Sequence, residues 1–124
     1  MEAEVARGVD LAVVGLGTNG HVGTNEPGSA ADSRSRMVEL APSTRDGSLA
    51  YGAETPPTHA LTMGIGTLLD ADEIWLLVTG SHKASILEAV RNGPITPAVP
   101  ASLLRHHPRL VVLADDDAVP SVRS

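Results

Sequence analysis

The sequence predicts an α/β domain with a mostly parallel sheet, and three observations carry that prediction. Short aliphatic and β-branched runs alternate with segments of helical periodicity along the 124 residues. One of these runs, Glu73–Thr79, is the clearest strand pattern in the chain. Another, Leu11–Val14, empties into a glycine-rich loop, as strands do at the carboxyl edge of open α/β sheets. The length fits one domain, residues 1–124.

The first half of the chain is predicted to contain two short strands, one helix and much loop. Asp10–Val14 has the β-branched pattern of a buried parallel strand. The segment that follows, up to Ser33, holds too many Gly, Pro and Ser residues for a helix. Met37–Leu40 is predicted as a short strand, and Pro42–Leu49 as a helix weakened by Gly47.

The second half alternates strands and helices more regularly. Ser81–Asn92 is predicted as a helix because Ile86, Leu87 and Val90 form an apolar stripe, and Gly93 follows as its stop. The other predicted elements are a strand over Ala60–Ile65, a helix over Gly66–Ala71, the strand Glu73–Thr79, a short helix over Ala101–His106, a strand over Arg109–Ala114 and a weak terminal helix over Asp115–Val122.

Composition narrows the class of protein. The net charge is −6 and no basic block is present, which argues against nucleic acid or acidic membranes as partners. The chain has no cysteine, so it offers neither a disulfide nor a thiolate ligand or nucleophile. The charged N-terminus does not have the pattern of a signal peptide, and no apolar run approaches membrane-spanning length. We therefore expect a cytoplasmic protein.

The glycine-rich loop, residues 15–28, is predicted to hold the functional site. It carries three polar side chains, Asn19, His21 and Glu26. Histidine suits proton transfer near neutral pH, and a carboxylate bonded to its other nitrogen would orient it and stabilise its charged form. Asn19 could add an orienting hydrogen bond. The alternative is a surface histidine in a turn-rich connector.

The same loop also has the spelling of a dinucleotide fingerprint, Gly15-x-Gly17-x-x-Gly20, with Glu39 near the distance expected of a ribose-binding acid. That mechanism needs a helix beginning at the third glycine, so that its N-terminus meets the pyrophosphate. The residues after Gly20 do not have a helical pattern. We therefore do not expect a nicotinamide cofactor.

A second candidate site follows the strand Glu73–Thr79, where Gly80-Ser-His-Lys83 opens a helix. Free backbone amides, the helix dipole and Lys83 favour an anion, most naturally a phosphate. The alternative is an ordinary helix start with an exposed lysine. A metal site is not expected, because His106 and His107 are adjacent in sequence and point apart in regular structure.

Taken together, these segments resemble the glucosamine-6-phosphate deaminase (glucosamine-6-phosphate isomerase) family and, more distantly, the 6-phosphogluconolactonases. The resemblance covers nearly the whole chain, in family order, and matches the C-terminal half of that family. The matching segments are Gly15-Leu-Gly-Thr-Asn-Gly-His-Val-Gly-Thr-Asn-Glu-Pro-Gly28, Ser33-Arg-Ser-Arg36, Ala60-Leu-Thr-Met-Gly64, Gly66-Thr-Leu-Leu-Asp-Ala71, Gly80-Ser-His-Lys-Ala84 and Pro100-Ala-Ser-Leu-Leu-Arg-His106.

The resemblance implies a Rossmann-like three-layer sandwich, here a partial domain, and an activity without a cofactor. That activity converts glucosamine 6-phosphate to fructose 6-phosphate and ammonia. The residue matching His21 catalyses opening of the sugar ring, and those matching Glu26 and Asn19 hold and tune it. The residue matching Lys83 binds the sugar phosphate, in agreement with the helix-terminus argument.

The sequence departs from the family pattern in two ways that bear on activity. The family's N-terminal half, with a phosphate loop and the aspartate that moves the proton between C1 and C2, has no counterpart before Asp10. The family's phosphate-binding arginine falls on Ala50. We therefore expect a complementing N-terminal half or a homo-oligomer as partner. The alternative function is a catalytically inactive or truncated sugar-phosphate-binding module.

A third departure concerns regulation. The allosteric members bind their effector partly through residues matching Ser29 and Arg36, which this sequence keeps. Val38 and Glu39 replace polar or basic residues of that effector site, so we expect no such allostery.

Overall fold

The computed structural model describes residues 8–49 and 55–119, and Ala50 lies outside these ranges. Most predicted elements are present, with ends that differ by a few residues. In chain order they are β1 (Leu11–Gly15), β2 (Arg36–Glu39), α1 (Pro42–Leu49), β3 (His59–Thr62), α2 (Ile65–Leu69), β4 (Glu73–Val78), a first 3-10 helix (Ser81–Lys83), α3 (Ala84–Asn92), a second 3-10 helix (Pro100–His106) and β5 (Leu110–Ala114).

The centre of the fold is a parallel three-stranded sheet in the order β1-β4-β5, which confirms the α/β class. The strand β4 lies in the middle because its long apolar run can pair on both edges and pack against the core. One face of the sheet is covered by α2, α3 and the second 3-10 helix. These elements share a single core, to which the main contributors are Ala12, Ile65, Leu68, Ile74, Leu76, Val78, Leu87, Val90, Leu103 and Leu104.

The opposite face of this sheet is apolar and open. Strand alternation places there Leu11, Val13, Trp75, Leu77, Val111 and Leu113, which we call the open face. Val13 is 52% exposed and Leu113 is 43% exposed. The prediction that Asp10–Val14 is a buried strand was therefore wrong for half of its side chains, because none of the described elements covers this face. The described residues supply the sheet and one helical layer of the sandwich.

The strands β2 and β3 do not join the parallel sheet, although a single mostly parallel sheet would include them. They pair with each other in antiparallel fashion, with Met37 opposite Leu61. The predicted strand over Ala60–Ile65 ends early, at Thr62, because Gly64 already begins the turn into α2. The outer face of this ribbon carries Met37 and Leu61, both largely exposed.

The weak helix predicted over Asp115–Val122 is wrong as far as residue 119, and residues 120–122 lie outside the described ranges. Residues 116–118 form a turn instead. The Asp115 carboxylate accepts the backbone N–H of Ala118 at 2.9 Å and that of Gly80 at 3.1 Å. An aspartate that binds nearby backbone amides in this way competes with helix formation. In the part of the chain the structure describes, no helix has the length and apolarity needed to cross a membrane.

Candidate functional site

The glycine-rich loop leaves β1 at the carboxyl edge of the sheet and is held by two buried residues, Val22 and Asn25. The Asn25 amide donates to the carbonyls of Val22 at 2.9 Å and Met63 at 2.8 Å. Its Oδ1 accepts from Arg36 at 2.9 Å. Because every polar atom of this buried side chain is bonded, Asn25 fixes the loop relative to β2 and α2.

The loop brings His21 and Glu26 into direct contact, as the sequence analysis expected. His21 Nδ1 lies 2.8 Å from Glu26 Oε1, and the two side chains are 20% and 11% exposed. Since the carboxylate can only accept, the ring carries its proton on Nδ1 and leaves the Nε2 lone pair available. This orientation is the one that a general base with an orienting carboxylate requires.

Asn19 is bonded to both partners of this pair. Its Oδ1 accepts the backbone N–H of His21 at 3.0 Å, and its Nδ2 donates to Glu26 Oε1 at 3.3 Å. Nδ2 is also 3.3 Å from the hydroxyl of Ser43 in α1. Asn19 therefore holds the loop backbone and the carboxylate without carrying a charge of its own.

The N-terminus of α1 completes this cluster, and the sequence analysis did not foresee it. The backbone N–H of Ala41 donates to Glu26 Oε2 at 2.5 Å, and the hydroxyl of Thr44 lies 3.2 Å from His21 Nδ1. Burial alone would raise the pKa of the Glu26 carboxyl. Hydrogen bonds from Ala41, Thr44 and Asn19, together with the charge of His21, outweigh burial and lower that pKa below its ordinary value. Glu26 is therefore a carboxylate at neutral pH.

Replacing Glu26 by glutamine is expected to lower the free energy of unfolding at neutral pH by about 1–2 kcal/mol, because one amide cannot accept all these hydrogen bonds. The pKa of Glu26 is lower in the folded than in the unfolded protein. Its stabilisation is thus present above the unfolded pKa, about 4.3, and is lost as the pH falls through the folded pKa. The difference in free energy of unfolding between wild type and Glu26→Gln, measured by urea unfolding, should therefore be smaller below about pH 4 than at neutral pH.

Glu39→Gln is the matched control, because Glu39 is an exposed residue of β2. If the difference in free energy of unfolding between wild type and Glu26→Gln is as large at acidic pH as at neutral pH, Glu26 is not a stabilising carboxylate.

The His21 ring lies over Gly17 and lines an open cavity. A Cβ atom on Gly17 would stand 2.3 Å from His21 Nε2, so only glycine permits this ring position. The cavity has a volume of about 410 Å³ and is lined by Gly15, Leu16, Gly17, His21, Gly23, Leu77, Thr79 and Lys83. A second cavity of about 370 Å³ adjoins it at Gly17, His21 and Lys83, and is also lined by Thr18, Ser43, Thr44, Gly47 and His82. Both are large enough for a small ligand.

Lys83 connects the two cavities. It ends the first 3-10 helix, and its ammonium group donates to the carbonyl of Leu16 in the glycine-rich loop. Burial lowers the pKa of Lys83 below its ordinary value. Lys83 and the His21 ring therefore line the same cavities from different elements. From the residues alone the two motifs were separate candidate sites, and only the family resemblance placed them at one substrate.

The dinucleotide-binding hypothesis requires a helix that begins at Gly20, and the structure does not contain it. No helix begins between Gly20 and Arg36, and Glu39 lies on β2 with its side chain exposed.

Among residues 8–49 and 55–119, no three His, Asp or Glu side chains form a group that could hold a metal ion. His107 is buried, with Nε2 2.6 Å from the carbonyl of Ala71, whereas His106 is exposed.

Arg36 and Ser29 lie together beside the loop. Arg36 donates to Ser29 Oγ at 3.3 Å and to Asn25 Oδ1 at 2.9 Å. The neighbouring Val38 and Glu39 continue β2. Arg36 and Ser29 therefore help to hold the glycine-rich loop in place. The absence of an allosteric effector response stays a prediction.

Comparison with known proteins gives consistent results. A family model described as glucosamine-6-phosphate isomerases/6-phosphogluconolactonase matches residues 1–112. The chain is 45% identical over 115 residues to a glucosamine-6-phosphate deaminase from Rhodopirellula baltica, covering 91% of this chain and 46% of that protein. It is 43% identical over 116 residues to one from Bacillus thuringiensis, covering 92% and 44%.

Solved structures agree with this comparison. A monomeric glucosamine-6-phosphate deaminase superposes with a TM-score of 0.90 at 37% identity, over 95% of this chain and 50% of that one. A 6-phosphogluconolactonase from Trypanosoma cruzi has a TM-score of 0.69 at 20% identity, over 93% and 42%, and shows the shared fold alone. The chain thus spans about half the length of the relatives it matches.

Proposed function

This chain belongs to the family of glucosamine-6-phosphate isomerases and 6-phosphogluconolactonases, and on that premise we propose that it is a sugar-phosphate deaminase/isomerase. Its substrate is glucosamine 6-phosphate, and its products are fructose 6-phosphate and ammonia, in cytoplasmic amino-sugar metabolism. The observation that carries the proposal is the 2.8 Å contact between His21 Nδ1 and Glu26, in a ring that lines a cavity together with Lys83. Nε2 is then the ring nitrogen that remains for the substrate.

His21 performs the ring-opening step. Its Nε2 accepts the proton of the anomeric hydroxyl as the C1=O bond forms and the bond from C1 to the ring oxygen breaks. The same proton then passes to the former ring oxygen of the sugar, so the imidazole of His21 is neutral again at the end. Glu26 stabilises the imidazolium formed in between, and Asn19 keeps both side chains in position.

Lys83 holds the phosphate of the substrate. Its ammonium group lies where both cavities meet, and it precedes the N-terminus of α3, whose free amides also favour an anion. This arrangement separates the charged end of the substrate from the reacting end at His21.

The next step moves a proton between C2 and C1 and needs a further base. Among the described residues, the lining of the two cavities contains no carboxylate. The open face is where the source of this base would bind, because a sheet face with exposed Val13, Leu77 and Leu113 beside a half-buried Trp75 is unfavourable in water. We propose that a complementing N-terminal half of the family fold covers this face and supplies the base. A second copy of the chain is the alternative, and the molar mass in solution distinguishes the two.

The test combines thermal unfolding with ammonia release. Millimolar glucosamine 6-phosphate is expected to raise the unfolding temperature, by an amount equivalent to about 2.7 kcal/mol at one hundred times Kd. Unphosphorylated glucosamine and NAD are the control ligands and should leave it unchanged. Ammonia release is expected once the chain is mixed with the N-terminal half of the Rhodopirellula baltica relative.

Each other result has a defined meaning. Stabilisation with no ammonia, even in the mixture, would favour the alternative of a catalytically inactive or truncated sugar-phosphate-binding module. No stabilisation by glucosamine 6-phosphate, alone or in the mixture, would contradict both functions.

A further inference from the structure

His82 is a second histidine at this site, and the ring-opening step does not use it. It belongs to the first 3-10 helix together with Lys83, and both side chains line the 370 Å³ cavity that His21 also borders. Helix α1 forms another wall of that cavity, through Ser43, Thr44 and Gly47. His82 therefore borders the same space as His21 and Lys83, just before the start of α3.

The position of the His82 ring is set by Gly80. Gly80 has φ +96°, and a Cβ atom there would lie 2.6 Å from His82 Cε1 and 2.7 Å from Nδ1. The ring thus packs directly against the glycine backbone. Within residues 8–49 and 55–119, neither ring nitrogen has a hydrogen-bond partner, and the side chain is exposed to solvent. Neither ring nitrogen is therefore committed to a protein partner among these residues, and the side chain lines the cavity.

The charge of a phosphate group makes this position significant. A phosphate monoester carries about −1.5 to −2 charges near pH 7, whereas Lys83 supplies one positive charge and shares its protons with the carbonyl of Leu16. The α1 wall contributes only hydroxyl groups and glycine. His21 must keep a neutral ring to accept a proton. His82 is then the remaining cavity-lining side chain, among those described, that can add positive charge.

We propose that His82 is a phosphate-binding residue that, in its imidazolium form, shares the phosphate of the sugar substrate with Lys83. The inference rests on the proposed function, since it assigns one end of the same substrate. The charged and titratable groups around it are His21, with Glu26 behind it, Lys83, and the Asp115 carboxylate, which is bonded to the N–H of Gly80.

The charge of a histidine changes between about pH 5 and 8, so this contribution should be lost with rising pH. The test measures Kd for glucosamine 6-phosphate by calorimetry at about pH 6 and about pH 8. His82→Gln is expected to bind about tenfold more weakly than wild type at the lower pH, and within about twofold of it at the higher pH. Comparing variant with wild type at each pH cancels the titration of the phosphate itself.

Two further variants sharpen the result. His82→Arg keeps a positive charge at both pH values, so it should bind as tightly as wild type at the lower pH and more tightly at the higher. His106→Gln removes an exposed histidine of the second 3-10 helix and should bind as wild type does. Thermal unfolding of each variant without ligand verifies that it is folded.

Failure of this inference differs from failure of the proposed function. If wild type binds and Lys83→Met does not, but His82→Gln matches wild type at both pH values, His82 has no part in phosphate binding. If wild type binds glucosamine 6-phosphate no better than glucosamine, the sugar-phosphate site itself is refuted, and this inference with it.

Discussion

Replacing His21 by asparagine is expected to slow ammonia release from glucosamine 6-phosphate by about 10²–10⁴-fold in the complemented protein. The reason is geometric: Glu26 and Thr44 contact Nδ1 and Gly17 admits the ring, so Nε2 is the nitrogen left for proton transfer, and asparagine has no equivalent basic nitrogen. Binding of an open-chain analogue, the corresponding amino-alditol 6-phosphate, should change by less than about twofold, since it needs no ring opening. Initial rates and the Kd of the analogue provide the measurement.

His59→Asn is the matched control for this variant, because His59 lies at the start of β3 and outside both cavities. It should retain the wild-type rate. A His21→Asn rate within threefold of wild type would exclude His21 as the ring-opening base, and equal losses of rate and analogue binding would assign it to substrate binding instead.

Replacing Gly64 by alanine is expected to give the largest loss of stability, about 3 kcal/mol or more in the free energy of unfolding. A Cβ atom there would lie 2.1 Å from the carbonyl oxygen of Ser33 and 2.5 Å from the nitrogen of Arg34. Both are backbone atoms and cannot turn aside as a side chain could. The Ser33 carbonyl and hydroxyl also accept the N–H groups of Gly66 and Ile65 at 2.9 Å, so moving the segment breaks the start of α2.

Gly47→Ala is the control, because Gly47 lies within α1 and nothing stands within 4 Å of the added Cβ. Alanine in a helix should raise stability there by up to about 1 kcal/mol. Urea unfolding of both variants measures the contrast. A Gly64→Ala protein as stable as wild type would mean that the loop before β2 can move freely away from α2.

The sequence by itself determined the local elements and the chemistry of the two motifs. Runs such as Glu73–Thr79 and the stripe of Ser81–Asn92 specify strand and helix through side-chain periodicity, which is a local property. His21 and Glu26 are also close in sequence, and glycines between β1 and β2 leave a loop as the only conformation that can hold them. Hence their contact could be predicted from the chain alone, as could the placement of Lys83 at a helix start.

Only the tertiary structure decided what these motifs meet. The bonds from Ala41 and Thr44 to Glu26 and His21 join residues on separate elements, and no periodicity reports which helix start will approach which loop. The contact between Lys83 and Leu16 is of the same kind. Strand patterns likewise could not show that β2 and β3 would pair with each other, or that Val13 and Leu113 would share an open face. Burial depends on which elements pack over a face, and the pattern along one strand records only that the two faces differ.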